Sequence, residues 1–248
     1  MKQILTSLLL LLLPSKFKLQ ISNFKLQSSP LPWGGEGGGF LILLTSYFFV
    51  LSSNLSAQTK LTAEQQKQVI EKIDKAAATM TTMQCQFTQT KSMKLLSRDM
   101  KSEGLMYFKQ PDKLRWQYTA PYDYTFILNG DNVRIKSTKS TQDINVQRNK
   151  MFRQITGIIL NSITGGRLKS STDFTVEMYK ADKDYFAKLY PKKKEIKQLS
   201  SCIEIHFTPA LTMVNSVKME EKTGDVTIVR LNNIKTNVTI DEKMFDTH

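Results

Sequence analysis

The fold is decided by three neighbouring stretches of the chain: CQFTQT at 85–90, EGLMYFKQPDKLRWQYTAP at 103–121 and FILNGDNVRI at 126–135. Apolar and polar residues alternate in much of these stretches, and a period of two is typical of a strand with one buried face. Asn129-Gly130 is a strong hairpin signal, because both residues tolerate a positive φ. The sequence therefore predicts consecutive antiparallel strands joined by short turns.

Further strands and two helices are predicted on either side of these stretches. Thr62 and Gln65 fit a capping box, and apolar residues then recur at helical spacing up to Met80. A polar loop is predicted over 137–149. A second helix follows it, ending at Gly165-Gly166, with an apolar stripe of Met151, Phe152, Ile155, Ile158, Ile159 and Ile163. The later strands are predicted over 174–179, 184–190, 202–207, 215–220, 226–231 and 235–240.

This order of elements predicts an α+β fold: one large, curved, unclosed antiparallel sheet with helices over its hollow face. The composition does not change after Gln58, so residues 58–248 are predicted to form one domain. The hydrophobic content of 40% is enough for a core of that size.

The first 57 residues are predicted to be an export region. Apolar runs at 4–13 and 40–51 flank a low-complexity stretch at 28–39, and the small residue Ala57 follows a polar spacer. We expect cleavage after Ala57, with export to a bacterial periplasm, and residues 1–39 are consistent with an over-long gene model. A short membrane anchor is the alternative, although both runs are shorter than the ~20 residues of a membrane-spanning helix.

The composition excludes several classes of function. The chain has 2 His and 2 Cys, which leaves little material for a metal site or a nucleophile–histidine pair. No nucleophile elbow or paired-carboxylate motif is present, so we expect neither an enzyme nor a cofactor. The net charge of +13 includes the run at 192–194, which is either a solvated loop or a surface that attracts an anionic membrane or acidic partner. No nucleic-acid recognition motif accompanies it.

The pairing of the two cysteines stays open, whereas the position of one histidine is predicted. Cys85 and Cys202 either form a disulfide in an oxidising compartment or remain free thiols. His206 alternates with Ile205 and Phe207, so a position on the outer surface of a strand is predicted for it.

The three stretches resemble the LolA-type periplasmic lipoprotein carriers. That family has a Phe-x-Gln strand, a Gly-led strand that runs into Lys-Arg-Pro, an aromatic strand with Trp, and a hairpin at Asp-Gly or Asn-Gly. The segment from Asn237 to Phe245 is similar to its closing segment. The resemblance implies a half-barrel with a helical lid over a hydrophobic cavity. It also implies a monomer that takes acylated lipoproteins from an inner-membrane releasing transporter to an outer-membrane acceptor.

The resemblance also implies a site. Its cargo cavity would be lined by Met106, Phe108, Leu114, Trp116, Tyr118, Phe126, Leu128, Phe152, Ile155 and Ile159. Leu114 matches a position that meets the loading complex in the family, but ordinary core packing explains it equally well. The family's latch arginine is replaced by Gln110, so a weaker latch is expected. Arg115 either compensates for that change or is an exposed strand residue.

A second function of a different kind uses the same half-barrel. A periplasmic protein could bind lipid or lipoprotein in order to sense it and regulate a partner, rather than to carry cargo. Such a regulator is expected to have an added interaction domain, and none is found after Phe245, which favours the carrier.

Overall fold

A computed structural model describes residues 58–94, 99–148, 150–164, 168 and 171–247 of the chain. Within 150–164 it does not describe the side chains of residues 150–155 and 162. The expected export region at 1–57 lies outside the described residues.

The described residues form twelve strands and few helices. The strands are β1 Thr59–Lys60, β2 Thr82–Ser92, β3 Met100–Lys109, β4 Lys113–Ala120, β5 Tyr124–Asn129, β6 Asn132–Ser137, β7 Thr141–Asn145, β8 Phe174–Ala181, β9 Asp184–Pro191, β10 Ser200–Phe207, β11 Val214–Glu221 and β12 Val226–Thr236. The α-helices are α1 Ala63–Thr79, α2 Lys150–Thr164 and α3 Lys194–Lys197, and a 3₁₀ helix spans Glu242–Phe245.

All twelve strands belong to one antiparallel sheet, in the order β1-β8-β9-β10-β11-β12-β2-β3-β4-β5-β6-β7. Within the described residues no pairing joins β1 to β7, so the sheet is not closed. The predicted α+β class with an unclosed antiparallel sheet is confirmed.

One face of the sheet, here called the inner face, is buried in two clusters. The first joins β2–β7 and β12 and is contacted by Ile159, Leu160 and Ile163 of α2. The second joins β8–β11 with the buried side of α1 and includes Ile158 of α2. Helix α2 therefore contacts both halves of the inner face.

Helix α1 forms where its sequence predicts. The Thr62 side chain accepts a hydrogen bond from the Gln65 backbone N–H, and the Gln65 side chain accepts one from the Thr62 backbone N–H. This capping box satisfies two N–H groups at the start of the helix. Val69, Ile70 and Ile73 recur at helical spacing and are buried against the sheet.

Two sequence predictions about strands are wrong. The predicted loop over 137–149 contains the edge strand β7, which pairs with β6. Its alternation is weak because it is five residues long and Ile144 is its one apolar residue. The separate strand predicted at 235–240 does not exist, because β12 runs without a break to Thr236 through an irregularity between Asn232 and Lys235.

The opposite face of the sheet, here called the outer face, has its own small apolar cluster. Phe245 of the 3₁₀ helix is buried there with Ile127 and Ile240. The C-terminal segment thus packs behind β3–β5 and leaves the inner face of these strands to α2.

Candidate functional site

Seven residues predicted to line a cavity come together on the inner face. They belong to one apolar cluster, they are 0% to 9% exposed, and they come from three adjacent strands: Met106, Phe108, Leu114, Trp116, Tyr118, Phe126 and Leu128. Ile159 of α2 is partly buried and packs against them. The predicted Phe152 and Ile155 lie in α2, but their side chains are outside the described residues.

The sequence prediction missed the part of this surface that β2 and β12 supply. Met83, Cys85 and Phe87 belong to the same cluster, as do Val229 and Leu231. Their alternation with polar residues is visible in the sequence. What the sequence does not show is that β12 pairs with β2, which places these two strands side by side.

An aromatic group occupies the middle of this surface. The Phe87 and Trp116 ring centroids are 4.6 Å apart, and the Phe87 and Tyr118 centroids are 5.1 Å apart in an edge-on arrangement. Gly104 makes room for Phe87, since a Cβ atom there would lie 2.7 Å from its ring and 2.0 Å from the Gln117 carbonyl oxygen. The glycine of the Gly-led strand is therefore required by close packing.

The indole N–H of Trp116 is buried in this aromatic group and has no hydrogen-bond partner among the described residues. Burial is the largest influence on the Tyr118 hydroxyl and raises its pKa well above the ordinary value. Burial also raises the pKa of the Cys85 thiol to about 12, so Cys85 is a protonated, unreactive wall residue.

Polar side chains replace apolar ones at one end of the inner face. The Tyr118 hydroxyl donates a hydrogen bond of 2.9 Å to Gln89 Oε1, and both residues are buried. Two residues further along β2, Lys91 Nζ lies 2.6 Å from Glu221 Oε1. The surface is thus amphiphilic along its length, apolar over most of it and polar at this end.

The end of α1 is held by two amide side chains. Gln110 Nε2 donates a hydrogen bond of 2.9 Å to the Ala77 carbonyl oxygen. Asn237 Oδ1 accepts one of 2.8 Å from the Thr81 N–H, and its Nδ2 donates to the Thr79 carbonyl. Gln110 therefore holds the end of α1 by a hydrogen bond.

Arg115 does not compensate for Gln110 as a latch, which was one of the two expectations for it. It is half-buried on the outer face, where it donates hydrogen bonds to Gln117 Oε1 and to the Met244 carbonyl. Beside it, Lys109 and Lys113 pair with Glu242 and hold the pKa of that carboxyl at about 2. Arg115 therefore helps to fix the C-terminal segment, not a lid over the inner face.

The remaining candidates of the sequence analysis are also placed. Cys85 and Cys202 are free thiols, one on the inner and one on the outer face. His206 is on the outer face, with Nε2 3.5 Å from Glu204. Within the described part of the chain, no group of three acidic, His or Cys side chains is arranged to hold a metal ion, and no helix has both the length and apolarity to cross a membrane.

The chain is similar to two proteins that carry the same name. The chain is 26% identical over 165 residues to an outer-membrane lipoprotein carrier protein of Methylococcus capsulatus, covering 66% of this chain and 76% of the relative. It is 22% identical to a protein of the same name from Chromohalobacter salexigens, covering 82% and 93%. A LolA superfamily protein from Nitrosomonas europaea has a crystal structure that is 12% identical, with a TM-score of 0.42 and coverage of 73% and 97%.

The family assignment rests on a match to most of the described chain. Residues 78–248 match the family described as outer membrane lipoprotein carrier protein LolA. This range contains the inner-face residues of β2–β7 and β12, together with helix α2. The chain belongs to the LolA family.

Proposed function

We propose that this protein is a soluble periplasmic carrier, which binds the acyl chains of lipoproteins released from the inner membrane and takes them to the outer membrane. The single observation that carries the proposal is the apolar inner face of β2–β5, which is covered by helix α2. The names of the relatives support the same function. An inner-membrane releasing transporter and an outer-membrane acceptor are the implied partners, and export with cleavage after Ala57 is part of the proposal.

The physical need for such a carrier comes from the cost of exposing acyl chains to water. Each buried methylene is worth ~0.8 kcal/mol, so one long chain resists transfer to water by about 10 kcal/mol. A surface of aliphatic and aromatic side chains removes this cost. The carrier acts by binding alone, and the energy for loading comes from the releasing transporter.

Binding requires α2 to leave part of the inner face, because the residues beneath it are almost fully buried in the closed structure. Ile159, Leu160 and Ile163 make contacts there that are apolar and non-directional. Acyl chains supply contacts of the same kind, so the exchange of α2 for cargo needs little net free energy. Cargo can then be released as readily as it is bound.

The test compares two substitutions in α2. Ile159→Glu places a charge on the side that packs against the sheet, whereas Asn161→Glu places the same charge on an exposed position of the same helix. We expect Ile159→Glu to weaken binding of a fluorescent diacylated lipopeptide at least about tenfold, because a carboxylate would be buried against acyl chains. Asn161→Glu should bind as the wild type does. Anisotropy titration measures both.

Two results would contradict the proposal. One is a wild-type protein that does not bind the lipopeptide, and the other is equal binding by both variants. Near-ultraviolet circular dichroism of each variant checks that the sheet remains folded, so that a loss of binding is not a loss of structure.

A further inference from the structure

The polar end of the inner face is formed by four neighbouring side chains of three strands. Gln89 and Lys91 follow Phe87 on the same side of β2, because side chains alternate along a strand. Ser102 is paired with Gln89 on β3, and Thr227 is paired with Lys91 on β12. All four residues are buried, with exposures of 1% for Gln89, 2% for Lys91, 9% for Ser102 and 1% for Thr227.

Burying polar groups here has a cost that an apolar surface would avoid. The Lys91–Glu221 pair is a buried ion pair, with side-chain exposures of 3% and 17%. Such pairs stabilise a fold no better than apolar residues of similar volume, because the charges lose their hydration. The polar end is therefore not explained by the stability of the fold.

The unused hydrogen-bonding capacity at this end includes several donors. An ammonium group has three N–H donors and no acceptor. Among the described residues Lys91 Nζ has a single hydrogen-bond partner, the Glu221 carboxylate. The Ser102 and Thr227 hydroxyls make no hydrogen bond within the described ranges 58–94, 99–148, 150–164, 168 and 171–247. A ligand oxygen that accepts hydrogen bonds fits the Lys91 ammonium and both hydroxyls.

We propose that Lys91, Ser102 and Thr227 form a subsite for the carbonyl oxygens that join acyl chains to the rest of the cargo. The inference rests on the proposed function, since it assumes that the apolar part of the inner face takes the chains. The apolar surface ends at Phe87 and the polar one begins at Gln89, as a chain ends at its ester or amide carbonyl. The subsite thus fixes the direction in which an acylated molecule lies.

Two glycerol lipids with the same chains distinguish this subsite from general hydrophobic binding. Dioleoylglycerol carries ester carbonyls, and its dioleyl ether analogue lacks only those oxygens. Each is used to displace a fluorescent hydrophobic dye from the full protein. The wild type should prefer the diester about five- to tenfold, the change expected for one or two hydrogen bonds.

The variant that removes the subsite is Lys91→Met combined with Glu221→Leu, which leaves no unpaired charge behind. It should bind the ether as the wild type does and lose the preference for the ester. Ser102→Ala and Thr227→Val are smaller changes that should each reduce the preference, and they keep the test valid if the double variant does not fold. Thr88→Val, on the exposed side of the same strand, is the matched control and should change nothing.

The outcomes distinguish a failure of the subsite from a failure of the carrier function. If neither lipid displaces the dye, the proposed function fails and the subsite with it. If both lipids displace the dye equally well from the wild type, or if the subsite variants keep the preference for the ester, the subsite is wrong while the carrier function stands. Loss of the preference in Thr88→Val would also overturn it.

Discussion

At the scale of single residues, Gln110 shows how one side chain can adjust the hold on a helix. Its amide reaches the Ala77 carbonyl in the last turn of α1. A neutral amide bond of this kind contributes about 1 kcal/mol, and a charged donor contributes more. A guanidinium would also interact favourably with the negative end of the helix dipole. The neutral residue therefore holds α1 less firmly than an arginine would.

Replacing Gln110 tests this directly. Gln110→Arg should slow the exchange of a bound fluorescent fatty acid, and Gln110→Ala should speed it up and lower the free energy of unfolding by about 1 kcal/mol. Stopped-flow dye displacement and urea unfolding measure the two quantities. Faster exchange in the arginine variant, or unchanged exchange in both, would show that the hydrogen bond from residue 110 to α1 does not influence exchange.

At the scale of secondary-structure elements, α2 combines an apolar side with a glycine that lowers its helical stability. Gly157 lies in the middle of the helix, and a Cβ atom built there would meet nothing within 4 Å. The glycine is therefore not required by packing. Glycine in a helix interior costs about 1 kcal/mol relative to alanine, so it makes α2 easier to displace.

Gly157→Ala should therefore stabilise the closed state. We expect a rise of about 0.5 to 1 kcal/mol in the free energy of unfolding, a slower uptake of the fluorescent lipopeptide and an apparent affinity lowered about two- to fivefold, because the stabilised closed state competes with binding. Urea denaturation and stopped-flow anisotropy are the measurements. Faster uptake would contradict the idea that α2 must be displaced before cargo enters.

The same scale shows what the sequence could predict. Helix α1 was predictable because its cap and its apolar side are both local signals, and most strands were predictable from alternation. Strand β7 was missed because Ile144 is the one apolar residue among its five, so no alternation can be detected. The polar end of the inner face was missed because Lys91 and Glu221 are far apart in the chain, and only the sheet topology brings their strands close. Phe152 and Ile155 stay predictions.

At the scale of the whole molecule, stability against acid depends in part on an ionic group on the outer face. Glu204 lies 3.3 Å from Lys218 Nζ, 3.5 Å from His206 Nε2 and 3.9 Å from Lys188 Nζ. The hydrogen bond to His206 is the largest cause, and with the lysines it lowers the pKa of Glu204 from 4.5 to about 2. The carboxylate is thus favoured in the folded state.

A lowered pKa contributes stability above the unfolded value of 4.5, and the contribution is lost as the pH falls toward 2. Between pH 5 and pH 2 the wild type should therefore lose about 1 to 2 kcal/mol more unfolding free energy than Glu204→Gln, after allowance for solvent screening. Urea unfolding at each pH measures it. Glu220→Gln, at an exposed position on the neighbouring strand, should follow the wild type; equal slopes for all three would refute the role of Glu204.

The pairing of β12 with β2 has a consequence for how the protein folds. The two strands lie side by side in the middle of the sheet, yet the residues that they pair are far apart in the chain, as Met83 and Thr236 are. While the polypeptide is being made, β2 keeps a bare hydrogen-bonding edge until nearly the last residues emerge. Folding must therefore be a late event dominated by distant contacts, which are slow to form. A chain cut short before Val226 would leave that edge open to self-association.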